Sequence, residues 1–261
     1  MKNILKIMLM MITIFTIAGS AVYAAEIPVS DQDQLITSND WTEISNLQDE
    51  MKKEEPDATI DYDKALKVYV DCNLIKLQTA DTKKLTSALE SANYVWVIPF
   101  KMEKTYGMFT VAKGLPLREE AKSVLTKAEQ EEVKNHAGKW MITEIAEHTV
   151  EPYYDILLEK REALSDCTRV VLVGSQPGMR QPVALGMDDE TARIWISLGY
   201  QYPVMEKIPE TQNVESGVYS FDSVAEISDT YIEDSEVSTG VGVQSRSSMK
   251  YVAGIGIIVI G

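Results

Sequence analysis

Apolar runs that come in pairs across short, polar or glycine-bearing turns constrain this chain more than any other feature. Tyr94 to Phe100 and Met108 to Ala112 flank the stretch Lys104 to Gly107 and predict a β-hairpin. Arg169 to Val173 and Val183 to Met187 flank Gly174-Ser175-Gln176-Pro177-Gly178 in the same way, and Ala192 to Leu198 follows the polar turn Asp188-Asp189-Glu190. Hairpins in this number do not fit strict strand–helix–strand alternation. The expected fold is α+β, with a largely antiparallel sheet and helices packed on one face.

Helical spacing fills the gaps between these runs. Trp41, Ile44, Leu47 and Met51 share a face behind the pair Asp40 and Glu43, which reads as a cap, and Pro56 ends the helix. Leu66, Val68 and Val70 alternate as a half-buried strand. After Asp81, Leu85, Ala88, Leu89 and Ala92 form an apolar stripe, and Thr126 with Glu129 reads as a capping box for a charged helix ending at Gly138. Trp140, Ile142 and Glu144 alternate as a further strand, and Pro152 opens a helix whose buried face is Tyr153, Ile156, Leu157 and Leu164. A helix followed by strand, turn and strand thus occurs twice, at Leu85 to Gly114 and at Tyr153 to Gly186.

The ends of the chain carry its address. Lys2 and Lys6 precede the apolar run Ile7 to Ala18, and Val22 and Ala24 place small residues before a cleavage site, which predicts a signal peptide over residues 1–24. Residues 25–39 are polar and expected to be flexible, and residues 40–205 are expected to form the globular domain. Residues 206–250, with nine acidic residues against three basic, read as a disordered acidic stalk. Residues 251–261 are apolar or glycine, and as a helix they would cover about 16 Å, half of a hydrocarbon core of about 30 Å, so they read as an incomplete transmembrane helix or a short apolar tail. The protein is expected outside the cytoplasm, at the cell surface or secreted, touching membrane only through this last segment.

Charge removes one class of partner. The net charge is −15, more negative still once Lys2 and Lys6 leave with the leader, and nucleic acid binding needs clustered Lys and Arg to release counterions. An extracellular protein or a small ligand is the expected partner.

No string of residues specifies chemistry. Cys72 and Cys167 are a candidate disulfide, permitted by export; closing a loop of about 95 residues would contribute about 4 to 5 kcal/mol in chain-entropy terms. Two semi-buried free thiols are the other reading. Ser175 is adjacent to Gly174, the wrong register for a nucleophile elbow, and the residues that follow place Pro182 where a phosphate-binding helix would have to run. The stretch reads as a β-turn, with Arg180 just after it a candidate to face a ligand.

Glu144-Ile-Ala-Glu147-His148 comes close to the inverted zinc-protease pattern but has Glu144 where the metal needs histidine. Asp31-Gln32-Asp33 and Asp61-Tyr62-Asp63 begin like calcium loops and lack the later glycine and glutamate. His136 lies where a cation suits a helix C-terminus, and Trp41, Trp96, Trp140 and Trp195 sit in periodic apolar stretches, as core residues do. No metal, cofactor or catalytic residue is assigned. The expectation is a non-enzymatic binding or interaction module, with a hydrolase using carboxylates brought together by folding as the alternative.

Overall fold

A computed structural model describes residues 27–232 except 149–150, 175, 180, 201 and 210–212. The signal peptide, the apolar segment 251–261, residues 210–212 and 233–250 of the acidic stretch, Ser175 and Arg180 lie outside the described residues. Among those described, no helix is long and apolar enough to cross a membrane.

The fold is α+β around one large, mostly antiparallel sheet. Its first half is the meander β2 (Leu66–Val70), β3 (Asn93–Lys101), β4 (Tyr106–Lys113) and β5 (Trp140–His148), with the short β1 (Thr59–Ile60) paired to β3. Its second half is β6 (Arg169–Val173), β7 (Val183–Met187), β8 (Ala192–Ile196), β10 (Val218–Ser220) and β9 (Asn213–Glu215). The halves meet where β2 and β6 run parallel, in register at Val68 with Leu172 and Tyr69 with Val173. Sheet order is therefore β5-β4-β3-β2-β6-β7-β8-β10-β9. Both hairpins expected from the sequence form.

Apolar side chains leave the central strands on both sides, so the sheet is covered on both sides. One face carries Leu66, Val68, Val95, Val97, Val170, Leu172 and Ile196, packed with Tyr153, Ile156 and Leu157. These last three belong to α6 (Tyr153–Glu159). The opposite face holds two separate clusters. Over β6 to β8, Val171, Val173, Leu185 and Trp195 pack with Leu85 and Leu89 of α3 (Thr82–Glu90) and Phe221 and Val224 of α7 (Phe221–Ile232). Over β3 to β5, Trp96, Ile98, Phe109 and Val111 pack with Ile44 of α1 (Trp41–Ile44) and Met51 of α2 (Gln48–Glu54). Helices therefore occupy both faces, not the single face expected, because the alternation along β2, β3 and β6 presents apolar residues on each side. The two helix–strand–strand units, built on α3 and α6, have their helices on opposite faces.

Of the two caps expected, one forms and one does not, and a third appears at Asp81. Asp81 caps α3 by accepting from the Lys84 amide at 3.0 Å, and the Thr126/Glu129 box caps α5 (Lys127–His136) in both directions. A short helix, α4 (Glu119–Lys122), precedes it. Asp40 makes no cap to α1; its carboxylate instead accepts from Tyr94 Oη at 2.9 Å and Trp96 Nε1 at 3.0 Å. Donors from β3 win because they anchor α1 to the sheet as well as satisfying the acid.

Both expected boundaries of the globular domain move outward. Residues 27–39 are ordered: Ile27 and Leu35 are buried, and Leu35–Thr37 forms a short 3₁₀ turn. At the other end the acidic stretch does not begin as a stalk at residue 206. Residues 213–232 add β9, β10 and α7, since Val218, Phe221 and Val224 are buried and each contributes on the order of 1.5 to 3 kcal/mol. Acidic composition hid an amphipathic helix.

Candidate functional site

Three places in the fold concentrate chemistry. The first lies where β2 and β6 part. Residues 28–35 wedge between the starts of these strands: the Val170 amide donates to the Pro28 carbonyl at 2.7 Å, and the Lys67 amide to the Asp33 carbonyl at 3.0 Å. Alternation turns Lys67, Tyr69 and Arg169 away from the α6 face, onto the polar seam that separates the two apolar clusters.

Asp33 sits in that seam, fully buried. Its carboxylate accepts from Ser30 Oγ at 2.6 Å, Tyr69 Oη at 2.7 Å and Arg169 Nη2 at 3.0 Å, with Lys67 Nζ at 3.7 Å. Burial by itself would raise this acid; the hydrogen bonds from Ser30 and Tyr69 and the Arg169 guanidinium overcome it and hold the carboxyl below its usual range. The Lys67 ammonium lies 4.6 Å from the Tyr94 ring centre and 5.2 Å from that of Trp96, and burial lowers its pKa against the pull of Asp33 and Asp40. Ser30, Tyr69 and the Arg169 Nη2 are thus engaged in tying the N-terminal wedge to the sheet.

The second place is Glu144 on β5. Its Cα partner is Thr110, and it shares the α6 face with Met108 and Ala146. The side chain is buried at 8% exposure, and its hydrogen-bond partner is Thr110 Oγ1, at the long distance of 3.5 Å. Burial pushes the carboxyl up to about 7, opposed only by the Thr110 contact. Tyr153 and Tyr200 lie close enough to feel it; both phenols are raised, first by burial, and remain neutral donors through the physiological range. The Tyr200 hydroxyl is buried without a hydrogen bond of ordinary geometry.

The third place is a hollow of about 250 Å³ between the 3₁₀ turn Ile75–Leu77 and α7. Ile75, Ala80, Phe221 and Ala225 give it an apolar lining, while Gln78, Thr79, Asp222 and Glu226 supply polar groups. Asp222 and Glu226 are one helical turn apart, so both carboxylates border the same opening. Leu77, beside it, is exposed at 44%. Gln78 takes a left-handed conformation, φ 48°, which turns the chain at the end of the 3₁₀ turn.

Residues singled out in the sequence fall mostly elsewhere. Cys72 and Cys167 are free thiols and the candidate disulfide is not formed. Cys167 packs on the α6 face, its sulfur 2.8 Å from where a Cβ on Gly186 would stand, while Cys72 packs against the cluster on the opposite face. The sheet lies between them. Burial raises each thiol to about 11, which makes both poor nucleophiles.

Within the 174–178 turn, buried Gln176 accepts from the Leu74 amide at 2.9 Å and donates to the Cys72 and Gly174 carbonyls. That makes it a brace for the chain leaving β2. Asp61 pairs with Lys64 at 3.7 Å, and Asp33 is the anchor just described. His136 closes α5 in its last turn. Trp96, Trp140 and Trp195 are core residues, and half-buried Trp41 meets Tyr62 edge-on at 5.2 Å.

Comparison with protein-family models, with curated proteins and with solved structures gives no match for this chain. Inference about function therefore rests on the geometry of these three places.

Proposed function

We propose that this chain is an exported extracellular domain that works by binding, held to the cell surface through residues 251–261, and that its ligand face is the hollow between the Ile75–Leu77 turn and α7. The leader-like residues 1–24 support export, and the hollow is the observation that carries the binding reading. Its volume is at the small end for ligand sites and suits a single side chain or a small amine better than a polymer. Two carboxylates over an apolar floor favour a cation with an aliphatic stem, as in a lysine side chain of a partner protein.

Carboxylate chemistry is the second reading, favoured by the elevated Glu144 acid. Against it, Glu144 lies on the α6 face, whereas Asp222 and Glu226 border the hollow on the other side of the sheet. An acid and a base so placed cannot serve one substrate.

Titration with N-acetyl-lysine amide, followed by amide chemical shifts, tests the proposal. Saturable changes confined to residues 75–80 and 221–226, and lost in Ala225→Trp, are the expected result. If neither this probe nor N-acetyl-leucine amide produces saturable changes there, the hollow is not a ligand face.

A further inference from the structure

Glu144 has no part in the proposed binding face, yet a buried acid with one long hydrogen bond is an expensive thing to keep in a sheet. We propose that Glu144 is a proton-operated latch: its neutral carboxyl lets β5, α6 and Tyr200 close over one another, and its ionisation loosens that corner of the domain.

Geometry carries the proposal. From β4 the carboxyl meets Thr110, and the phenols of Tyr153 on α6 and Tyr200 after β8 lie near enough to feel its charge. All of these are neutral hydroxyl groups, and no Lys or Arg among the described residues pairs with it. An ionised carboxylate asks for two or more good donors, as Asp33 receives on the other face; here it has one at 3.5 Å. Of the elements around it, β5 is an edge strand of the sheet, paired along its length with β4, and α6 is two turns long. The central strands and α3 take no part in the contact.

Direction follows from linkage. The carboxyl's ordinary value is 4.5, and burial places it near 7 in the folded protein. Between those values the folded state holds a proton that the opened state releases, so closure weakens as pH rises through that window and the loss is complete above about 7. That shift corresponds to a factor on the order of 10² in the closing equilibrium.

Amide hydrogen exchange of the whole exported protein at pH 5 and pH 8, corrected for intrinsic rates, reads the latch directly. Amides of β5 and α6 should lose protection by a factor on the order of 10² at pH 8, while those of α3, β6 and β7 hold theirs. Glu144→Gln should abolish the pH dependence in β5 and α6, with Glu144→Leu as a second variant. Persistence of that dependence in either variant would overturn the proposal. So would an equal loss of protection across the whole sheet of the unaltered protein, which is measurable even if both variants fail to fold.

Discussion

Asp33 and Glu144 are both buried carboxyl groups against the same sheet, at 2% and 8% exposure, and they are driven in opposite directions. Burial is the largest single influence in each case and pushes both upward. What differs is supply. Asp33 takes short bonds from Ser30, Tyr69 and Arg169 and has Lys67 at 3.7 Å, whereas Glu144 has Thr110 at 3.5 Å. One acid is a cornerstone that must be charged, the other a group that must be neutral. Burial alone predicts neither behaviour; the inventory of donors within reach decides the sign.

The sharpest way to break this comparison is to remove the cornerstone. Asp33→Ala leaves the Lys67 and Arg169 cations facing each other in a buried seam and detaches the wedge from β2 and β6, for an expected loss of about 3 to 5 kcal/mol in urea unfolding. A loss under about 1 kcal/mol would mean that the seam is wet and the acid incidental. Tyr69→Phe is the milder cut, removing one 2.7 Å donor and leaving the ion pairs, with an expected loss of about 1.5 to 3 kcal/mol. Because the folded Asp33 carboxyl lies below 3.8, its stabilisation is complete above that value and is lost as pH falls through the folded one. Without Tyr69 that folded value rises, so acid unfolding of the variant, followed by circular dichroism, should begin at a higher pH.

How far these sites could be read from sequence depends on whether their bonds are local. The Thr126/Glu129 box and both hairpins are set by neighbours a few residues away and form as expected, and the Asp81 cap found in the structure is equally local. Arg169 meets Asp33 across 136 residues, and nothing in Asp31-Gln32-Asp33 announces a cation supplied from that distance. The string Glu144 to His148 approaches a metal motif in sequence, while the property that sets Glu144 apart, its poverty of donors, depends on what α6 and Tyr200 bring near it. Asp40 shows the same limit at short range: the sequence gives it a partner in Glu43, and the fold gives it Tyr94 and Trp96. Residues 27–39 and 213–232 were masked by polar composition, because a few buried positions such as Leu35, Val218 and Val224 suffice to bind them to the sheet.

The smallest expected effect sharpens the comparison most, because it touches the one donor that Glu144 has among the described residues. Thr110→Val keeps the shape of the side chain and removes the hydroxyl, at 3.5 Å too distant to be worth more than about 0.5 kcal/mol. That contact favours the ionised carboxyl, so its loss should lift Glu144 further above about 7. At pH 5 the group is neutral with or without the hydroxyl, and stability should hardly change. At pH 8 the unaltered protein bears a buried charge with one weak bond, the variant a buried charge with none, and the difference in melting temperature between pH 5 and pH 8 should widen. Equal shifts at both pH values would show that Thr110 acts through packing, and that the acid on this face is governed by contacts other than the one that separates it from Asp33.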